Sequence, residues 1–192
     1  SYYAANWADS DETTRAAWTE VEVTGKLDNG STGSADQLQV LLQGAGECLI
    51  DDVQVLNASQ QNLIANSTFE SGADGWVAEG TEKFSSLETS EGFNSAHSYH
   101  VRAVDRGDNQ INRIRTDLTA SLASGTTATI KAKVRWLKGH PEVLFRLRGN
   151  WLEAVGEMNL PVAGTPGMRN SRYVTLAPPA IAEVKHWPVL PR

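Results

Sequence analysis

The stretch Thr129-Ile130-Lys131-Ala132-Lys133-Val134-Arg135-Trp136-Leu137 alternates apolar and polar side chains. Successive side chains on an extended strand point to opposite faces, so Ile130, Ala132, Val134 and Trp136 share one face and Lys131, Lys133 and Arg135 the other. An amphipathic helix would repeat every ~3.6 residues instead. The segment therefore reads as a strand with one core face and one basic face. Neighbouring segments repeat the pattern. Arg113 and Arg115 alternate with Ile114, Arg146 and Arg148 with Phe145 and Leu147, and His100 and Arg102 with Tyr99, Val101 and Ala103. If these strands share one sheet, up to nine basic side chains leave a single surface.

The same alternation predicts strands over Thr19–Leu27, Gln37–Gln43, Cys48–Leu56, Ser98–Val104, Asn109–Leu118, Thr127–Leu137 and Val143–Arg148. Turn residues punctuate them at Asp28-Asn29-Gly30, Gly44-Ala45-Gly46, Arg106-Gly107-Asp108 and Lys138-Gly139-His140-Pro141. Helical periodicity is hard to find. The expectation is an all-β, mostly antiparallel sandwich. Of the six tryptophans, Trp76 and Trp136 are expected in the core, while Trp151 follows a strand end and is the best candidate for an exposed ring.

The 192 residues suffice for one large sandwich or two unequal units. Apolar content of 40% and charged content of 21% describe a folded chain. No apolar run approaches the ~20 residues that span a bilayer, so no membrane insertion is expected. Ser1–Trp7 lacks the basic start and apolar middle of a signal peptide, so any export signal lies upstream or has been removed. A single cysteine, Cys48, excludes an intrachain disulfide and reads as a buried thiol. The net charge of −6 argues against nucleic acid as a partner. Its distribution is uneven. Residues 1–99 hold three basic side chains against sixteen acidic ones, and residues 100–148 hold ten against four.

Asn62-Leu63-Ile64-Ala65-Asn66-Ser67-Thr68-Phe69-Glu70-Ser71-Gly72, followed by Gly75-Trp76, resembles the opening of jelly-roll carbohydrate-binding modules of secreted bacterial proteins. Gly46-Glu47-Cys48-Leu49-Ile50-Asp51-Asp52-Val53 resembles their closing strand, yet it precedes the opening motif. The resemblance thus implies that residues 1–57 are the last strands of a partial module, 58–163 a second module, and 164–192 a Pro-rich linker or the start of a further domain. Three strands are too few to close a sandwich, so the first unit must pack on the second or on a segment outside the chain. The resemblance also implies a jelly-roll topology, a secreted or cell-surface location, a polysaccharide partner beside neighbouring domains of the same parent protein, and a structural calcium ion. Glu70 with Asp51 or Asp52 occupies the matching calcium positions; turn caps are the alternative reading of these acids.

No Ser/His/Asp, metal-ligand or phosphate-loop spacing appears among His97, His100, His140 and His186, so no enzyme is expected. The expected function is recognition of an extracellular, anionic polysaccharide through Arg113, Arg115, Lys131, Lys133, Arg135, Arg146 and Arg148, with Trp151 at the rim. Two alternatives stand beside it: a solvated basic face, or a spacer segment of a bacterial surface protein that binds no sugar. Arg106-Gly107-Asp108 matches an adhesive tripeptide but fits a turn by composition alone.

Overall fold

A computed structural model describes residues 17–27, 34–108 and 111–149, together with the backbone of 153–159, 173–174 and 184–185. Two five-stranded sheets, antiparallel in every pairing, face each other as a β-sandwich. The strands are β1 (Thr19–Lys26), β2 (Ser34–Leu42), β3 (Gly46–Leu56), β4 (Trp76–Ala78), β5 (Ser86–Glu88), β6 (Ser98–Ala103), β7 (Ile114–Ala123), β8 (Thr127–Gly139), β9 (Glu142–Arg148) and β10 (Glu153–Asn159). The first sheet runs β1-β8-β3-β6-β5 and the second β10-β9-β2-β7-β4. Tyr173–Val174 and Val184–Lys185 pair separately.

Alternation places the core. From the first sheet come Val21, Val23, Ile50, Val101, Ile130, Val134 and Trp136; from the second come Leu38, Val40, Ile114, Val143, Phe145 and Leu147. Trp76 and Trp136 are both buried, as their positions in the sequence require. Each indole N–H finds a carbonyl, Trp76 donating to Asn66 O at 2.8 Å and Trp136 to Gly139 O at 3.3 Å, which makes burial of the ring affordable. Cys48 is fully buried, and burial holds its thiol well above the usual range.

The strands before Asn57 do not stand apart. β3 lies between β6 and β8, β2 between β7 and β9, and β1 against β8, so one core serves strands from both sides of the polar run 57–62. That run is a closed turn. Asn57 Oδ1 accepts from Ser59 N at 2.9 Å and Gln61 N at 3.0 Å, and Leu56 bridges Asn62. Closing strand and opening motif are therefore spatial neighbours. Leu63 N donates to Val55 O and Val53 N to Ser67 O.

Several elements differ from expectation, among them β10 (Glu153–Asn159), which follows the last expected strand. β7 was expected at Asn109–Leu118 and begins at Ile114, because Asp108 Oδ1 caps the preceding loop by accepting from Ile111 N at 3.0 Å and Asn112 N at 3.2 Å. β4 and β5 have three residues each, too few for periodicity to register.

Candidate functional site

Because Leu38, Val40 and Leu42 of β2 enter the core, Gln37, Gln39, Leu41 and Gln43 face outward from the second sheet. Strand register then builds rows across this face. Arg148, Gln37 and Asp117 form one; Arg146, Gln39, Arg115 and Val77 the next; Leu144 and Leu41 a third. At the β4 edge, Glu79 clamps two arginines. Its Oε2 lies 3.1 Å from Arg113 Nε and its Oε1 2.9 Å from Arg115 Nη2. The Arg115 hydrogen bond, then that of Arg113, holds the Glu79 carboxyl below its ordinary range, and Glu79 in turn raises Arg115.

Two hollows lie end to end along β2. One, of about 520 Å³, is lined by Asp36, Gln37, Gln39, Arg113, Arg148 and Gly149. The other, of about 450 Å³, is lined by Leu41, Gln43, Arg106, Gly107, Leu144 and Arg146 among others. Both fall within the ~300–1,000 Å³ of small-molecule sites. Gly107 forms part of the wall: its N–H donates to Leu42 O at 2.9 Å, and a Cβ there would come within 2.7 Å of Leu41 Cβ. The adhesive tripeptide is thus used internally, Gly107 packed against β2 and the Asp108 carboxylate capping its own loop.

The basic residues do not share one surface. Arg113, Arg115, Arg146 and Arg148 belong to the second sheet, whereas Lys131, Lys133, Arg135, His100 and Arg102 belong to the first, on the opposite side of the sandwich. Alternation assigns a face within a strand and cannot say which sheet the strand joins. On the first sheet the basic side chains meet acids. Lys133 pairs with Glu20, Lys131 lies 3.5 Å from Glu20 and 3.8 Å from Glu22, and Arg135 pairs with Glu91. Glu47 gathers His100 at 2.7 Å, Lys138 at 3.5 Å and Arg102 at 3.9 Å. Loop 89–97 covers part of this face, where Lys133 Nζ sits 4.7 Å from the centre of the Phe93 ring. Trp151 lies outside the described residues.

The expected metal ligands separate in the same way. Asp51 and Glu70 converge on loop 89–97, where Asp51 Oδ2 accepts from Phe93 N at 2.8 Å and Ser95 Oγ at 3.1 Å, and Glu70 Oε1 accepts from His97 N at 2.9 Å. Burial raises the Asp51 carboxyl, and the Glu70 charge raises it further. Asp52 is elsewhere, accepting from Gln54 Nε2 at 2.8 Å. Among the described residues no group of three Asp, Glu, His or Cys side chains is arranged to hold a metal ion by itself. Two carboxylates with the Ser95 hydroxyl and the His97 carbonyl nearby match the all-oxygen preference of a hard cation, which would need further carbonyl or water oxygens.

The opening motif folds as a structural knot beside this pair. Asn66 Nδ2 donates to Gly72 O and Asp74 O, and Phe69 enters the core. Residues 61–150 match the family of carbohydrate binding domains. No curated protein and no solved structure matches the chain. The carbohydrate-binding match covers β4 to β9, and so holds all four arginines of the second sheet, while β2, which supplies the glutamines between them, precedes it. Those glutamines, Glu79 and Asp117 were not among the residues expected from sequence. The alternation of Gln37 and Gln39 with Leu38 and Val40 marked them as outward, but nothing in it placed β2 between two arginine-bearing strands.

Proposed function

We propose that the chain binds an extracellular, anionic polysaccharide along the outer face of the second sheet, as a secreted or cell-surface module beside other domains of its parent protein. The observation that carries this reading is the pair of hollows along β2, flanked by Arg113 and Arg115 on one side and Arg146 and Arg148 on the other, on strands within the carbohydrate-binding match. Guanidinium groups offer planar forks for carboxylate or sulfate oxygens, and the glutamines between them suit hydroxyls. None of the outward residues named on this face is aromatic, which favours polar recognition over stacking on a neutral glucan.

Calorimetric titration against polygalacturonate, a sulfated galactan and a neutral glucan, at low and moderate salt, tests the reading. Charge-assisted hydrogen bonds contribute about 1.5–3 kcal/mol each, so Arg115→Ala/Arg146→Ala is expected to weaken binding of an acidic polymer at least about tenfold. Lys131→Ala/Lys133→Ala, on the opposite sheet, is expected to leave it within about twofold. Binding lost in the second variant and kept in the first would move the site, and no binding by the parent protein would favour the spacer reading.

We assign Asp51 and Glu70 as the pair that would hold a structural calcium ion. A divalent cation would neutralise their mutual repulsion and tie the opening motif to loop 89–97. Millimolar calcium is expected to raise the melting temperature by several degrees over the protein in EDTA, since saturation at 100 times Kd contributes about 2.7 kcal/mol. In Asp51→Asn that difference should vanish. Identical melting curves with calcium and EDTA would remove the ion from the account.

A further inference from the structure

Two glutamine side chains on the floor of the second sheet's outer face have their amide orientation dictated from outside. Asp117 carries an exposed carboxylate, which can only accept when ionised. Gln37 Nε2 donates to Asp117 Oδ1 at 3.3 Å, leaving Gln37 Oε1 as an acceptor, and Gln39 Nε2 donates to that oxygen at 2.9 Å. A Gln37 turned the other way would set two acceptors against each other. The relay therefore has one favourable direction, and it turns Gln39 Oε1 away from Gln37. That oxygen has no hydrogen-bond partner, and the Gln39 side chain is completely buried between the Arg115 and Arg146 positions of neighbouring strands. A buried acceptor without a donor costs about 1–3 kcal/mol, so a group that supplies the donor is favoured there.

We propose that Asp117, acting through Gln37 and Gln39, fixes the floor of this face as an acceptor, so that it selects an acidic sugar bearing a free hydroxyl beside its charge over a polymer whose neighbouring hydroxyls are sulfated. The inference rests on the glycan-binding reading above and names the class of sugar that reading takes. When the carboxylate of a uronic acid draws the Arg115 and Arg146 guanidinium groups outward, Gln39 Oε1 is uncovered and accepts from an adjacent sugar hydroxyl. A sulfate ester at that position brings only acceptors and leaves the glutamine oxygen unsatisfied. Asp117 is a positioning residue that acts through the two glutamines. Gln39 is the group that touches it.

The test compares affinities of the full chain for polygalacturonate and for a sulfated galactan. Gln39→Met keeps the size and charge of the side chain and removes its acceptor. Asp117→Asn supplies a donor and allows the relay to reverse. Each is expected to lower the ratio of uronate to sulfate affinity about five- to tenfold, and the double variant no further, because both act on one chain of hydrogen bonds. Side-chain amide NMR gives a readout independent of any sugar: Gln37 and Gln39 NH₂ signals should shift in Asp117→Asn and stay in place in Glu22→Gln, on the opposite sheet. Unchanged ratios in variants that melt like the parent, effects that add in the double variant, or amide signals indifferent to Asp117 would overturn the relay. Moved amide signals without binding of any acidic polymer by the parent protein would instead overturn the glycan reading and, with it, the selectivity drawn from the relay.

Discussion

The protein is expected to lose stability steadily as pH rises from about 4.5 to about 8, the reverse of the usual behaviour of a carboxylate, and a single substitution, Glu82→Gln, should flatten that slope. Glu82 is fully buried in the short turn after β4. Its Oε1 accepts from Leu42 N at 3.1 Å, while Oε2 is sealed away without a partner. Burial raises the carboxyl to about 8, offset only in part by the Leu42 hydrogen bond, and no cationic side chain contributes. The titratable neighbour it acts on is the Cys48 thiol, itself pushed up by burial.

The sign follows from proton counting. Between the unfolded value of 4.5 and the folded value near 8 the folded chain holds a proton that the unfolded chain has released. Each pH unit in that window therefore removes about 1.4 kcal/mol, in total about 5 kcal/mol. The contribution is complete below pH 4.5 and gone once pH has passed through 8. Glu20, Glu47, Glu79 and Glu88, all held below their ordinary range, act oppositely: their stabilisation is present above the unfolded value and lost as pH falls through their folded values. Urea unfolding at pH 5, 7 and 9 checks this. Parallel loss in the parent and in Glu82→Gln would mean that Glu82 is already ionised in the fold.

Replacing Phe69 by alanine is expected to cost about 3–5 kcal/mol, a large share of the 5–15 kcal/mol that holds a typical domain together. The ring is fully buried, 5.1 Å from Trp76 and 5.4 Å from Tyr99, whose rings lie 6.0 Å from each other. The loss combines a cavity with two ring contacts, one to Trp76 of the second sheet and one to Tyr99 of the first. Phe69 also adopts φ +59, a left-handed conformation that a bulky residue rarely accepts, so burial of the ring outweighs backbone strain. Glu70 follows immediately, and the strain turns the chain so that Phe69 enters the core while Glu70 reaches loop 89–97. Phe69→Leu should lose roughly half as much. A change below about 1 kcal/mol in Phe69→Ala, measured by denaturant midpoint at constant slope, would show that the cluster contributes little.

Much of the fold was legible because burial on one face of a strand writes itself into the chain as a period of two. Ile130 to Trp136 showed it, and the core residues of β1, β6, β8 and β9 fall where alternation puts them, whereas in β3 the core face passes from Cys48 and Ile50 to Val53 and Val55 across an irregularity in its pairing with β8. The candidate site was legible only by halves. Arg113, Arg115, Arg146 and Arg148 were read as outward and basic, which they are, but so were Lys131, Lys133 and Arg135, which face the other side. Side-chain direction is local, whereas sheet membership depends on pairings between residues separated by a hundred positions, such as Glu20 with Lys133.

The charge pattern makes the same point. Acid-rich and base-rich halves suggested a basic surface in an acidic protein, yet antiparallel pairing lays β1 and β3 against β8 and β6, so Glu20, Glu22 and Glu47 neutralise Lys131, Lys133, Lys138 and Arg102 in register. By itself the sequence determined the strand class, the core face of the regularly alternating strands, and the buried roles of Trp76, Trp136 and Cys48, because hydrophobic burial and backbone geometry act over a few neighbouring residues. Only the tertiary structure decided which arginines stand together, that β2 brings Gln37 and Gln39 between them, and that Asp51 rather than Asp52 meets Glu70, because each depends on which distant strand completes a ladder of hydrogen bonds.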